Sequence, residues 1–101
     1  MKALLAFFAR PPSWSKLKDQ ALEEGGLAYL AASTGAWEEA STRWNLAART
    51  WARAAEEAPP EHRPDLHRQA QACFRQEAVA ADRSGDRHQW LEDATTEELA
   101  S

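Results

Sequence analysis

The sequence predicts a small all-α protein, an antiparallel helical hairpin or bundle completed by a third long helix. Three observations carry that prediction. First, apolar residues recur at helical spacing through the middle of the chain, with Trp37, Trp44 and Trp51 seven residues apart and Ala40, Ala47 and Ala54 three residues behind each. Second, proline and glycine punctuate the chain at Pro11-Pro12, Gly25-Gly26, Gly35, Pro59-Pro60 and Gly85, leaving segments of ordinary helix length joined by short loops. Third, no alternating apolar/polar run follows the first ten residues, so no strand is expected there. The 101 residues amount to one domain. Its expected parts are an apolar arm over 1–12, a helical domain over 13–93 and an acidic, frayed tail over 94–101.

The arm reads MKALLAFFAR. One lysine and seven apolar residues resemble the start of a signal peptide, but no A-x-A site follows and Arg10-Pro11-Pro12 closes the run. A strand or helical turn that lays Leu4, Leu5, Phe7 and Phe8 on the core is the expectation. Ser13 or Ser15 then offers an N-cap for a helix starting near Lys16, with Leu17, Ala21 and Leu22 sharing a face. Each glycine of Gly25-Gly26 costs a helix about 1 kcal/mol, so a kink or break is expected there. Helical pattern resumes at Leu27, with Leu27 and Leu30 as the bulky face and Ala28, Ala31 and Ala32 as small positions that let a neighbour come close. Gly35 suits a C-cap.

The next helix is expected from Ala36 to Ala58, with Glu38 and Glu39 favourably placed in its first turn and Pro59-Pro60 as its stop. Pro64 fits the first turn of a further helix, Asp65 to Arg83, whose expected apolar stripe is Leu66, Ala70, Cys73, Phe74, Ala78 and Ala81. Ser84-Gly85-Asp86 is expected to close it. A short last helix, Arg87 to Asp93, would then bury Trp90 and Leu91.

Charge and composition narrow the function. The net charge is −4, which disfavours generic binding to nucleic acid. The single cysteine, Cys73, allows no disulfide within the chain, and a reducing cytoplasm is the expected setting. The chain has no apolar stretch long enough to cross a membrane. His62, His67, Cys73 and His88 lack the i, i+3 or i+4 spacing that places two metal ligands on one helical face. No phosphate-binding glycine loop, H-E-x-x-H or nucleophile elbow is present. The paired acids Glu23-Glu24, Glu38-Glu39 and Glu56-Glu57 are adjacent, so they diverge on a helix and make no catalytic pair. No catalytic residue, cofactor or metal is therefore expected.

What remains is interaction. Trp37, Trp44 and Trp51 are first of all a core seam, since stripes at helical spacing face the core. Five tryptophans are many to cover in so short a chain, and tryptophan is a common interface anchor, so part of the stripe is also a candidate docking surface. Arg43, Arg49 and Arg53 are candidate contacts for an acidic partner.

The residues Leu27, Ala28, Ala31, Gly35, Trp37, Ala40, Trp44 and Ala47 resemble a tetratricopeptide repeat, which implies a helix-turn-helix pair. One unit is visible, and one unit forms no solenoid groove. Gly35, Trp37, Ala40, Trp44 and Ala47, followed by RQAQACF at 68–74, also resemble the core of the ANR family of small negative regulators of AraC-type activators. That resemblance covers about half of the chain. It implies a cytoplasmic bacterial protein that binds a transcription factor and has no chemistry of its own. The expected function is thus a small non-catalytic protein–protein interaction module, a negative regulator bound to a transcriptional activator. The alternatives are an inhibitor or accessory subunit of an enzyme or nucleoprotein complex, of the kind mobile elements carry, and a direct DNA-binding regulator using the 63–87 region. A homodimer is a further expected partner state.

Overall fold

The computed structural model describes residues 13–100, with side chains described over 13–85. Three helices follow in order: α1 (Ser13–Ser33), α2 (Trp37–Glu57) and α3 (Arg63–Ala100), with a 3-10 turn at Pro60–His62 leading into α3. Among the described residues there is no strand, and the chain is the small all-α bundle that its sequence predicts. Helix α2 is central. Helix α1 packs along one side of it and α3 along another, and the two flanking helices barely meet. Both run antiparallel to α2: Thr50 meets Glu24 while Ala40 packs with Ala31, and Asn45 meets Glu77 while Trp37 meets Arg83.

Alanine is what lets these helices approach closely. Ala47, Ala48, Ala54, Ala55 and Ala58 of α2 are buried in one cluster with Ala21 of α1 and Leu66, Ala70 and Cys73 of α3. A second, smaller cluster joins Ala31, Ala40 and Ala80 near the α1–α2 turn. Each alanine contributes little area, so the indoles supply the bulk.

The turns follow from local chemistry. Gly35 has φ +79°, a left-handed conformation that favours glycine. Its N–H donates to the Ala32 carbonyl (3.0 Å), and the Ala36 N–H donates to the Ala31 carbonyl (2.9 Å). That pair of bonds is a Schellman C-cap, and the accompanying apolar contact is Ala36 against the Ala31 cluster. At the other end of α2, Ala58 is extended before Pro59, and Arg63 Nε donates to the Ala58 carbonyl (3.1 Å), satisfying an acceptor that the helix end leaves open.

Several expectations are corrected. Helix α1 begins at Ser13, not near Lys16, and passes through Gly25-Gly26 without a break. Tertiary packing of Ala21, Glu24, Ala28 and Ala31 against α2 outweighs the glycine penalty. The bulky face expected of Leu27 and Leu30 is exposed, and the small face is the buried one. Helix α3 does not close at Ser84-Gly85-Asp86. It runs on to Ala100, absorbing the separate helix expected at Arg87 to Asp93 and most of the tail at 94–101. Its buried positions are Leu66, Ala70, Cys73 and Ala80, with Glu77 half-buried. Phe74, Ala78 and Ala81, expected on the stripe, are exposed because steps of three and four from Leu66 reach 70, 73, 77 and 80 instead. The arm over 1–12 and the side chains of Trp90 and Leu91 lie outside the described residues.

Candidate functional site

The tryptophan heptad places its three rings in one seam of α2, between the side that meets α1 and the side that meets α3. Trp51 is 5% exposed and sits in the main cluster with Cys73. Trp44 is half-buried and packs against both clusters. A Cβ at Gly25 would lie 3.6 Å from Trp44 Cζ3, so the α1 backbone rests on that ring. Trp37 is half-buried in the second cluster, and Arg83 of α3 lies over its face, 4.8 Å from the ring centroid. The sequence did not single out Arg83. The contact depends on the register of two helices, which the sequence does not show: the antiparallel pairing that sets Asn45 beside Glu77 sets Trp37 beside 85, within one turn of Arg83.

The three arginines do not join the tryptophans. Arg43 lies at the edge of α2, its Nε 3.1 Å from Glu39 Oε1 one turn earlier. Arg49 and Arg53 are exposed and have no ion pair or hydrogen bond among the described residues. Arg49 precedes Trp51 by two residues, a rotation of about 200°, so the pair faces away from the seam. Leu46 shares that outer strip and is 48% exposed. The three tryptophans thus form a seam within the bundle, Arg49 and Arg53 form an outer strip, and Arg43 sits apart at the edge of α2.

Polar groups tie the helices together. Glu24 of α1 is buried, and both its carboxylate oxygens accept hydrogen bonds, from Gln20 Nε2 (2.9 Å) and from Thr50 Oγ1 of α2 (2.8 Å). The Thr50 hydroxyl also lies 2.9 Å from the Leu46 carbonyl. Asn45 Nδ2 donates to Glu77 Oε1 of α3 (3.0 Å). No buried side-chain nitrogen or oxygen among the described residues lacks a partner.

The remaining chemistry-bearing groups have structural surroundings. Burial pushes the Cys73 thiol up, and a hydrogen bond from Trp51 opposes the shift. His62 stacks on Trp14 with ring centroids 4.9 Å apart and planes inclined by 25°, joining the start of α1 to the turn before α3. No group of histidine, cysteine and acidic residues able to hold a metal occurs among the described residues. None of the described helices is long and apolar enough to cross a membrane. Comparison with protein-family models finds no match, and comparisons with curated proteins and with solved structures find none.

Proposed function

We propose that this protein is a small, non-catalytic interaction module that binds another protein through the outer strip of α2. The observation that carries the reading is Arg49 and Arg53 beside Leu46, two cations without an ion pair among the described residues next to an exposed apolar side chain. An apolar anchor flanked by charge suits a partner surface of acidic character around a hydrophobic pocket. The tryptophan seam supports the strip from within by holding α2 rigid between its neighbours. The resemblance to small negative regulators makes a transcriptional activator the favoured partner, restrained by occupation rather than by any reaction. An enzyme or nucleoprotein complex that presents a similar acidic surface is the second partner class.

The test is a pull-down of the tagged chain from its source cell, run beside the Arg49→Glu/Arg53→Glu variant, with recovered chains identified by mass spectrometry. One stoichiometric partner, held by the parent protein and lost by the variant, supports the reading. A transcription factor fixes the regulator class, and a nuclease or other enzyme fixes the inhibitor class. Equal recovery by the variant removes the outer strip from the account. A gel shift that retards DNA at low salt and weakens steeply as salt rises would replace protein binding by DNA binding.

A further inference from the structure

We infer that the outward face of α1 is a homodimer interface, in which a second copy packs antiparallel across a two-fold axis at Gly26. This inference concerns a different helix from the proposed partner strip and does not rest on that proposal.

Among the described residues the face is largely apolar and uncovered. Leu22 is 55% exposed, Tyr29 68% and Leu30 61%, and all three lie on the side of α1 turned away from α2. The stretch 25–37 contains no charged residue. A helix whose inner face is buried and whose outer face is also apolar is one that has neighbours on both sides. Single exposed leucines are ordinary, but three large apolar side chains around one uncharged centre make a patch.

Gly26 marks the centre. It is exposed in the interior of a helix, and a Cβ there would meet nothing within 4 Å. No contact among the described residues needs glycine at this position, and glycine is the least favourable residue after proline in a helix interior. A close helix crossing gives it a purpose, since a residue without a side chain lets two backbones approach.

The register identifies the occupant as a copy of this chain. With two antiparallel α1 helices centred on Gly26, residue i of one faces residue 52 − i of the other. Leu22 then meets Leu30 of the second copy, and Leu30 meets its Leu22, as a two-fold interface requires. Glu23 faces Tyr29, whose hydroxyl can donate to that carboxylate, and Asp19 faces Ser33. No acid opposes an acid and no cation is left buried. A helix–helix contact of this size falls at the lower end of specific interfaces, about 1,000–1,200 Å² in total, so the dimer dissociates on dilution.

Sedimentation equilibrium of the full chain tests the inference. The expected result is a concentration-dependent mass rising from 11.3 kDa to twice that value. Leu30→Glu, at an exposed site, is expected to keep the helical circular dichroism and to weaken association at least tenfold. Leu22→Lys combined with Leu30→Glu is expected to restore it, because each lysine then faces a glutamate across the axis. Gly26→Cys in a Cys73→Ser background is expected to cross-link rapidly under mild oxidation. A mass of 11.3 kDa at every concentration overturns the inference. So does a dimer that survives Leu30→Glu, or one that Gly26→Cys fails to cross-link.

Discussion

The guanidinium of Arg83 in α3 lies over the indole face of Trp37 at the start of α2, with Cζ 4.8 Å from the ring centroid. The contact lies at the smaller cluster of described residues, where Ala31, Ala40 and Ala80 are buried and Trp37 and Trp44 pack against them. A cation over an exposed or half-exposed indole stabilises by about 0.5–1 kcal/mol. Arg83→Ala is expected to lower unfolding stability by about that amount. In a double-mutant cycle with Trp37→Leu, measured by urea denaturation, most of the loss should disappear once the indole is gone. A loss that persists in the Trp37→Leu background would assign the effect of Arg83 to something other than the ring.

Trp51 and Trp44 differ in burial, and the difference is measurable. Trp51 lies within the main cluster, and truncating a buried tryptophan to alanine costs about 3–5 kcal/mol. In so small a domain that is a large share of the total stability, so Trp51→Ala is expected to be largely unfolded at ambient temperature. Trp44, half-buried against the Gly25 backbone, should lose less on the same change. Circular dichroism melts of the two variants decide the order. A smaller loss for Trp51 than for Trp44 would contradict the burial described above.

Helix α2 was the most legible part of the sequence. Its period repeats three times and its end is fixed by two prolines, so the expected span of Ala36 to Ala58 and the observed Trp37–Glu57 differ by one residue at each end. The glycines misled because local propensity cannot see the neighbour. Gly25-Gly26 and Gly85 each lie within continuous helix. Which face of α1 would be buried was not legible either. Leucines and alanines compete for the seam, and the close spacing that the tryptophan helix permits admits Ala28 and Ala31 while leaving Leu27 and Leu30 outside. The split between the indoles and Arg49 or Arg53 was legible in principle, since a two-residue step reverses the helix face. The Glu24–Thr50 bond was not, because it depends on the register of two helices.

That bond yields a sharp substitution. Thr50 Oγ1 is one of two donors to a buried carboxylate. Thr50→Val keeps the shape and removes the donor, leaving one oxygen of Glu24 without its partner. Such a loss costs about 1–3 kcal/mol. Thr50→Ser retains the hydroxyl and should recover most of it. Equal stabilities of the valine and serine variants in urea would show that the hydroxyl contributes nothing to the α1–α2 contact.

The Cys73 thiol carries a pH dependence of definite sign. Burial raises it above its ordinary value of 9.0, with the Trp51 hydrogen bond as a smaller opposing effect. The folded chain therefore favours the neutral thiol, and the unfolded chain ionises first as pH rises. The stabilisation from burying a neutral thiol is complete below about pH 9.0 and declines as pH climbs through the higher folded value. Labelling by a thiol reagent at neutral pH should be slow and limited by opening of the bundle. Cys73→Ala should flatten the alkaline decline in stability, and a parent chain with no steeper decline than that variant would remove the thiol from the pH dependence.

Gly35 and Gly85 should respond in opposite directions to the same substitution. Gly35 holds φ +79° at the C-cap of α1, where an L side chain is strained whatever the space around it. Gly35→Ala is expected to cost about 1–2 kcal/mol, the usual penalty for a left-handed conformation. Gly85 lies exposed within α3, and a Cβ there would meet nothing within 4 Å. Replacing a helical glycine by alanine gains up to about 1 kcal/mol through helix propensity. Gly85→Ala should therefore raise the melting temperature while Gly35→Ala lowers it. This pair also tests the long helix itself. If 84–86 closed the helix with Gly85 in a turn of positive φ, alanine there would destabilise, and a lowered melting temperature for Gly85→Ala would argue for a break in α3 at that point.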